Sequence, residues 1–284
     1  MFRVGFIGLG TMGMPMASRL VAHGLDVFAY NRSAKRSVPA GMSLTDRIHE
    51  AFTTRDAVIL MLSDGNALRE AVFHTPSALA AAGKGTLIVN MSTVGLEETK
   101  EFADVCHRAG MRYMDAPVIG SVGPATAGAL TIVAGGSEED FAMITPVFNI
   151  LGKSSFHMGD IGRGTIMKLL VNGHLAVSMQ MMGECLALAK KADLNRELVL
   201  SVFEESSVWS ALLAAKRSLL LSETFPAAFA LRHMVKDLSL AVELADTYNS
   251  EDKLIQAARR TYSEALQAGF GDADMASITQ YLLS

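Results

Sequence analysis

The opening of the chain constrains the fold more than any other stretch of its 284 residues. An apolar segment at residues 3–7 leads directly into GLGTMG, and a helical pattern follows over residues 14–22. A strand, a GxGxxG turn and a helix in this order predict a dinucleotide-binding fold, whereas a glycine-rich turn without a ligand is the alternative. The candidate cofactor contacts are the six residues of the turn: Gly8, Leu9, Gly10, Thr11, Met12 and Gly13.

The end of the second predicted strand, residues 26–30, bears on the choice of cofactor. An NAD-dependent protein of this kind usually carries a carboxylate there, which holds the ribose 2′-hydroxyl. This chain has Asn31, Arg32 and Ser33 instead, so nothing repels a 2′-phosphate and a guanidinium is available to bind one. We predict that these three residues contact NADP(H). The alternative is a solvent-exposed arginine that opens the next helix.

A helix is expected around residues 43–53, and further strands are expected at 57–62, 86–91 and 111–116. Ligands of such folds bind beyond the carboxyl ends of the strands. The candidate contacts at these ends are Met61, Leu62 and Ser63 to the cofactor, and Ser92 and Thr93 to the substrate, with Thr93 also beside the cofactor. A plain Asx-type turn is the alternative for Ser63, and capping of the following helix is the alternative for Thr93.

A glycine-rich segment follows at residues 117–125. Free backbone amides in such a segment can hold a carboxylate or a phosphate, although a flexible connection is equally consistent with the pattern. Two final strands, at 129–136 and 154–160, are expected to complete the N-terminal half.

A proline-free and largely apolar run from Gly162 to Asp193 predicts one long helix inside the protein. Lys168 and Asn172 interrupt this run four residues apart and therefore share one face. Burial and the positive end of the helix dipole both disfavour the protonated lysine, which is how a lysine is adapted to acid–base chemistry. The alternative is a lysine that reaches solvent at a helix end, beside a structural asparagine.

The remainder of the chain has helical patterns at 196–205, 209–221, 229–247, 252–268 and 274–283. Lys236 shares a face with Phe229 and His233 and is a second candidate for the site, or else an ordinary surface lysine. The predicted fold is therefore α/β, with a doubly wound Rossmann sheet over residues 1–162 and an all-α domain over 163–284, joined by the long helix. The active site is expected in the cleft between the two domains.

Composition limits the classes of partner. The net charge is -4 and no basic run is present, which disfavours nucleic acid and anionic membranes. The histidines are scattered, so no metal site is expected, and two distant cysteines indicate reduced thiols in the cytoplasm. No signal-peptide pattern and no membrane-length apolar run is evident. Apolar helix faces such as residues 179–182 predict a homodimer or homotetramer through the helical domain.

Five ordered motifs resemble those of the β-hydroxyacid dehydrogenase family along essentially the whole chain. They are GFIGLGTMGMPMA (5–17), MST (91–93), DAPVIG (115–120), KLLVN (168–172) and HMVKDL (233–238). The NRS segment and FPAAFALRHMVKDL (225–238) are most similar to the branch that reduces glyoxylate and succinic semialdehyde with NADPH. The resemblance implies reduction of a short aldehyde-acid. A 3-hydroxyisobutyrate-type oxidation is the alternative, and a non-catalytic cofactor-binding module is a third.

The resemblance also implies roles for individual residues. Lys168 would protonate the carbonyl oxygen, and Asn172 would orient that oxygen or the lysine. Thr93, with Ser92 beside it, would border the substrate carboxylate and the nicotinamide, and Lys236 would contact the cofactor. The presence of Lys168 argues against the related imine reductases, which usually lack this lysine.

One departure from the family pattern concerns the substrate. The family usually has a serine that helps bind the substrate carboxylate at the position of Ile119. Gly120 and Ser121 are the remaining candidates for that contact. A less polar substrate is the alternative, so the sequence leaves the identity of the acid open.

Overall fold

The computed structural model describes residues 2–33 and 37–284, and the chain divides into two compact units, Met1–Lys168 and Leu169–Ser284. The first unit is built on a six-stranded parallel sheet in the order β3-β2-β1-β4-β5-β6. This order confirms the predicted Rossmann fold, with its switch point between β1 and β4. The strands are β1 (Arg3–Ile7), β2 (Asp26–Tyr30), β3 (Met42–Thr45), β4 (Ala57–Leu60), β5 (Leu87–Asn90) and β6 (Arg112–Asp115).

The central strands are apolar because both faces of the sheet are covered. Along β4, Ala57 and Ile59 belong to one apolar core, whereas Val58 and Leu60 belong to the other. Such strands read as continuous apolar runs rather than as an alternating pattern. The helices interleaved with this sheet are α1 (Gly13–Ala22), α2 (Gly65–Leu68), α3 (Pro76–Ala81) and α4 (Leu96–Arg108).

Two predictions in this unit are wrong. Residues 43–53, predicted as a helix, form the edge strand β3 and a 3-10 turn at Ile48–Ala51, because pairing with β2 outweighs a weak local helical preference. The alternative of a flexible connection at residues 117–125 is also wrong. They contribute strand β7 (Val118–Ile119) and the start of helix α5 (Val122–Ala127).

A second, three-stranded sheet completes the first unit in the order β7-β8-β9. Strands β8 (Leu130–Ala134) and β9 (Gly152–His157) are the two predicted final strands, and helix α6 (Glu138–Leu151) connects them. Asp115, the last residue of β6, forms an isolated antiparallel bridge with Gly135, just after β8. The two sheets of this unit are therefore linked at the end of β6.

Helix α7 (Arg163–Lys191) is the predicted long helix, and the unit boundary falls within it, between Lys168 and Leu169. The predicted domain boundary after residue 162 remains a prediction. The second unit contains, after α7, only helices. They are α8 (Arg196–Glu204), α9 (Ala211–Ser222), α10 (Leu231–Thr247), α11 (Lys253–Gln267) and α12 (Ile278–Leu283), with short 3-10 turns at Phe270–Asp272 and Met275–Ser277.

The core of the second unit is the apolar stripe of α7 packed on the later helices. Met179, Met182 and Leu186 of α7 share this core with Leu238 and Tyr262. Within the described part of the chain, no helix combines the length and the apolar composition that crossing a bilayer requires. Cys106 is buried and Cys185 is half-buried, and both are free thiols.

Candidate active site

The carboxyl edge of the six-stranded sheet collects the predicted cofactor contacts. The strand register places Tyr30, Ile7, Leu60, Asn90 and Asp115 side by side at the ends of β2, β1, β4, β5 and β6. Because these strands are parallel, the segments that follow them leave the sheet along the same edge. The GLGTMG turn, residues 31–33, residues 61–63 and residues 91–93 therefore lie along one rim of the first unit.

The three glycines of the turn have different surroundings. A β-carbon on Gly8, whose φ is +100°, would lie 2.3 Å from the Met61 carbonyl oxygen. A β-carbon on Gly13 would lie 1.9 Å from the Gly8 carbonyl oxygen, whereas one on Gly10 would meet no atom within 4 Å. Gly8 and Gly13 thus allow the chain to pack on itself, and Gly10 leaves open backbone.

The start of α1 has the features of an anion site. Met12 is the N-cap, and it has no side-chain oxygen that could accept from the first turn. The Met14 amide donates to the Gly10 carbonyl oxygen at 3.1 Å, so the helical bonding pattern begins within the turn itself. Helix N-termini present amide hydrogens and a positive dipole end to phosphates. With the open backbone at Gly10, these residues fit a dinucleotide pyrophosphate.

Asn31 joins the end of β2 to this turn. Its Oδ1 accepts from the Leu9 amide at 3.0 Å, and its Nδ2 donates to the Ser33 carbonyl oxygen at 3.2 Å. Arg32 and Ser33 are exposed. Sequence reasoning treated Asn31 only as a cofactor contact and missed this structural role.

Ser92 links the loops that follow β4 and β5. The side chain is buried. Its hydroxyl oxygen accepts from the Leu62 amide at 2.9 Å, and the hydroxyl donates to the Leu60 carbonyl oxygen at 3.4 Å. The Ser92 amide donates to Asn90 Oδ1 at 3.1 Å, and Asn90 Nδ2 donates to the Tyr113 hydroxyl at 3.0 Å. A buried chain of hydrogen bonds therefore crosses β6, β5 and β4, and a substrate contact by Ser92 remains a prediction.

The alternatives for Ser63 and Thr93 are resolved differently. Asp64 is the N-cap of α2 and accepts from the Ala67 amide at 2.8 Å, with the Ser63 hydroxyl donating to the same carboxylate at 2.8 Å. An Asx-type cap is therefore present at Ser63-Asp64. Helix α4 begins after Gly95, so the capping interpretation of Thr93 is wrong. The contacts of Ser63 and Thr93 with ligands remain predictions.

Gly120 and Ser121 lie between β7 and α5. Gly120 has a φ of +135°, and a β-carbon there would lie 2.8 Å from the Leu130 side chain. The Ser121 carbonyl oxygen accepts from the Ala125 amide at 3.0 Å as α5 begins. Ile119 pairs with Thr131 in the second sheet and is half-buried.

The start of α7 is held by Asp115, a residue that sequence reasoning missed. Its Oδ1 accepts from the Gly162 amide and its Oδ2 from the Thr165 amide, both at 2.7 Å. Burial raises the pKa of this carboxyl to about 6, although the two hydrogen bonds oppose the shift. Lys168 follows on the next turn and is only 7% exposed, so the predicted burial of this lysine is confirmed. The available signal was an acid at the end of an apolar strand, in DAPV.

In the second unit, Asn172 belongs to a buried polar cluster on α7 and α10. Its Nδ2 donates to Asp237 Oδ2 at 2.6 Å, and Lys236 Nζ lies 2.8 Å from Asp237 Oδ1. Asn172 and Asp237 are 1% and 2% exposed, so the pair is shielded from water. Because Asp237 takes an amide hydrogen, Asn172 presents its Oδ1 as an acceptor. Sequence reasoning missed Asp237, although it adjoins Lys236 on the apolar face of α10.

Phe229 and His233 lie near the start of α10, with their rings stacked at a centroid distance of 6.4 Å. The loop that carries Phe229 is fixed by Asp274, whose Oδ2 accepts from the Ala228 and Phe229 amides at 3.0 and 3.1 Å. Lys216 Nζ lies 2.7 Å from the fully buried Asp274 carboxylate. In the described residues, no group of three or more metal-ligating side chains converges.

Comparisons with known proteins cover the whole chain. The family model for the NAD-binding domain of 6-phosphogluconate dehydrogenase matches residues 3–159, and that for the NAD-binding domain of NADP-dependent 3-hydroxyisobutyrate dehydrogenase matches residues 162–282. The chain is 32% identical over 280 residues to glyoxylate/succinic semialdehyde reductase 1 of Arabidopsis thaliana, covering 98% of this chain and 97% of the relative.

Two further known proteins are similar to this chain over nearly its whole length. 2-(Hydroxymethyl)glutarate dehydrogenase of Eubacterium barkeri is 33% identical over 281 residues, covering 97% of this chain and 93% of the relative. The solved structure of Mycobacterium tuberculosis 3-hydroxyisobutyrate dehydrogenase with L-serine has a TM-score of 0.87 at 27% identity, over 100% of both chains.

Proposed function

Because the chain belongs to the β-hydroxyacid dehydrogenase family of nicotinamide-dependent oxidoreductases, we propose that it uses NADPH to reduce a short aldehyde that carries a carboxylate. The product is the corresponding hydroxy acid, as for glyoxylate or succinic semialdehyde. The observation that carries this proposal is the buried Lys168 near the start of α7, in a chain whose GLGTMG turn fits a dinucleotide.

Lys168 is the general acid in this proposal. When bound, the nicotinamide supplies the hydride. Negative charge then develops on the carbonyl oxygen, and a positioned ammonium can donate a proton to that atom. The low exposure of Lys168 supports this role because proton donors are more effective where water is excluded.

Asn172 orients the lysine in this proposal. One of the two Asn172 amide hydrogens bonds Asp237, and this bond fixes the orientation of the amide group. The remaining acceptor, Oδ1, is suited to an ammonium donor. Asp237 therefore sets which end of the Asn172 side chain is presented, and Lys236 balances the charge of Asp237.

The substrate carboxylate is assigned to Thr93, Gly120 and Ser121, with Ser92 beside them. Because the Ser92 hydroxyl is used between the β4 and β5 loops, Thr93 is the stronger candidate for direct contact. Ile119 removes the family's usual hydroxyl, so backbone amides at Gly120 and Ser121 replace it in this assignment. Lys236 is assigned to the cofactor.

The preference for NADPH rests on Arg32. The side chain is exposed at the end of β2, where it is available to a 2′-phosphate. Residues 31–33 include no carboxylate that would bind the ribose 2′-hydroxyl of NAD(H) and repel the 2′-phosphate of NADP(H). The assignment of NADP(H) over NAD(H) is therefore part of the proposal.

A second candidate is oxidation of a 3-hydroxy acid at the same site. The dehydrogenase name of the Eubacterium barkeri relative favours this direction. The same lysine would then accept the proton that it donates in the reductive reaction.

The test is a panel of glyoxylate, succinic semialdehyde, methylmalonate semialdehyde and an uncharged aldehyde, each with NADPH and NADH. 3-Hydroxyisobutyrate with NADP+ and with NAD+ measures the reverse direction. We expect turnover of at least one carboxylated aldehyde with NADPH and little turnover of the uncharged one. Clear preference for NAD+ and a 3-hydroxy acid would favour the oxidative candidate, because the oxidised cofactor accepts the hydride in that direction. Absence of turnover in both directions, with NADPH bound, would favour a non-catalytic cofactor-binding module.

A lysine variant tests the mechanism. We expect Lys168→Ala to lower kcat by roughly 10²–10⁴-fold with little change in the Kd for NADPH. Lys100→Ala is the matched control, because Lys100 is exposed and pairs with Glu97 on α4. Wild-type kcat in Lys168→Ala would contradict the mechanism.

A further inference from the structure

Asp115 lies where three elements of the first unit meet. Asp115 is the last residue of β6, and its backbone pairs with Gly135, which follows β8. The Asp115 amide donates to the Gly135 carbonyl oxygen at 3.1 Å, and the Gly135 amide donates to the Asp115 carbonyl oxygen at 2.7 Å. The Asp115 side chain is directed to the start of α7, where it accepts from the Gly162 and Thr165 amides. One residue thus joins the first sheet, the second sheet and the helix that carries Lys168.

The surroundings of Asp115 are fitted to a carboxylate. Both oxygens accept from backbone amides, and an ionised aspartate offers two acceptors and no donor. A β-carbon on Gly135 would lie 2.7 Å from Asp115 Oδ1, and one on Gly164 would lie 2.9 Å from the Asp115 carbonyl oxygen. The glycines at these positions therefore allow the close approach.

Lys168 depends on the segment that Asp115 holds. It follows Thr165 by three residues, roughly 4.5 Å along the helix axis. Side chains on a helix lean toward its N-terminus, so the lysine extends back over the turn that Asp115 fixes. A displacement of this turn displaces the lysine with it.

We propose that Asp115 is a positioning residue for Lys168, which sets the place of the ammonium by fixing both the Gly162 and Thr165 amides. This inference rests on the proposed function for its effect on turnover, but not for its effect on α7. Catalysis is sensitive to displacements of about 1 Å, because reacting groups must be held in a near-attack geometry. The carboxylate therefore acts on the reaction through the lysine.

The first measurement is amide hydrogen exchange of residues 162–168 in the Asp115→Asn variant. Asparagine keeps the shape of the side chain, but its NH2 group replaces one of the two oxygens that accept from the Gly162 and Thr165 amides. We expect at least tenfold faster exchange in this segment. Asp56→Asn is the matched control, because Asp56 also accepts a backbone amide, from Arg3 at 2.7 Å, at the opposite edge of the sheet. Its exchange in residues 162–168 should equal that of the wild type.

The second measurement is turnover. We expect Asp115→Asn to lower kcat at least tenfold while the Kd for NADPH changes less than threefold, and Asp56→Asn to leave both unchanged. In a Lys168→Ala background, the same substitution should lower kcat less than twofold further, because Asp115 acts through the lysine. A purely structural role would reduce kcat in both backgrounds alike and would overturn the proposal.

The outcomes separate this proposal from the proposed function. Unchanged exchange in residues 162–168 overturns the positioning role, whether or not the protein reduces aldehydes. Wild-type protein without turnover refutes the proposed function, and the exchange result then decides whether Asp115 places Lys168. Asp115→Ser, which keeps one acceptor, replaces Asp115→Asn if the latter does not fold. Failure of both to fold would show a global role and overturn the proposal.

Discussion

The two units build their polar sites from different groups. In the first unit, the candidate cofactor rim consists mainly of backbone at strand ends, held by Gly8, Gly13 and the Ser92 hydroxyl. In the second unit, the polar cluster consists of the side chains of Asn172, Asp237 and Lys236. The first arrangement should therefore be sensitive to added volume, and the second to removed charge.

The largest effect is expected for Gly13→Ala. Its β-carbon would lie 1.9 Å from the Gly8 carbonyl oxygen, so the turn and α1 must separate. We expect the free energy of unfolding to fall by about 3 kcal/mol or more, measured by urea denaturation. Gly10→Ala is the matched variant, because its β-carbon meets no protein atom. It should keep its stability and lose NADPH affinity, and equal stability losses in the two variants would contradict the comparison.

The second effect is a pH dependence from the first unit's buried carboxyl. Burial raises the pKa of Asp115 from 3.8 to about 6, so between these values the folded protein holds a proton that the unfolded chain has released. The free energy of unfolding should therefore fall as pH rises from about 4 to about 6, by about 3 kcal/mol, and level off above that. Subtracting the profile of Asp115→Asn isolates this contribution. A difference that is flat across this window would contradict the shift.

The third effect concerns the side-chain cluster of the second unit. Asp237→Asn removes the charge that pairs with Lys236 and weakens the bond to Asn172. We expect a loss of about 2 kcal/mol in the free energy of unfolding, because buried groups are left poorly paired. Asp246→Asn on the exposed face of α10 is the control and should change little. A stabilised Asp237→Asn protein would show that the cluster is not held by charge.

The fourth effect is on cofactor choice rather than on stability. Arg32→Ala should lower the ratio of kcat/KM for NADPH to that for NADH by about 10- to 100-fold, because a charge-assisted contact with the 2′-phosphate is lost. The kcat/KM for NADH itself should stay within about twofold. An unchanged ratio would remove Arg32 from the cofactor site.

The smallest effect is expected at the surface of the second unit, where substitutions should change the oligomeric state and leave turnover nearly unchanged. Among the described residues, nine of the twelve exposed large hydrophobic side chains lie in this smaller unit, and Leu194, Leu198 and Val202 form a stripe at four-residue spacing before and along α8. Met179 and Met182, on the face predicted for a partner, are buried in the core of this unit, so that part of the prediction is wrong. We propose that a second copy of the chain covers the stripe of Leu194, Leu198 and Val202 instead. Leu198→Lys with Val202→Lys should lower the mass measured by light scattering. A wild-type mass of one 30.3 kDa chain would contradict the proposal.

The sequence predicted the parts of the fold that depend on local patterns. The strand–turn–helix at residues 3–22 and the long helix at 163–191 are both present, since each is encoded by contiguous apolar spacing and glycine placement. Strand β3 was missed because four residues carry little pattern, and pairing with β2 decides their conformation.

The candidate site could be predicted where a short sequence motif forms it with its own backbone. It was harder to predict where side chains that are far apart in the sequence come into contact. Lys168 and Asn172 were identified from their spacing in an apolar run. Their supports, Asp115 and Asp237, lie 47 to 65 residues away from the groups they bind, so no local pattern indicates the contact. An acid beside an apolar strand end or within an apolar helix face was the only sign.

The bond between Asn31 and the Leu9 amide has an evolutionary consequence. The amide contact uses Oδ1, an acceptor that aspartate also possesses. Asn31→Asp would thus keep the link between β2 and the turn while introducing the acid that ribose recognition requires. A lineage could therefore move its preference from NADPH toward NADH by replacing Asn31 and Arg32, with the link between β2 and the turn intact throughout.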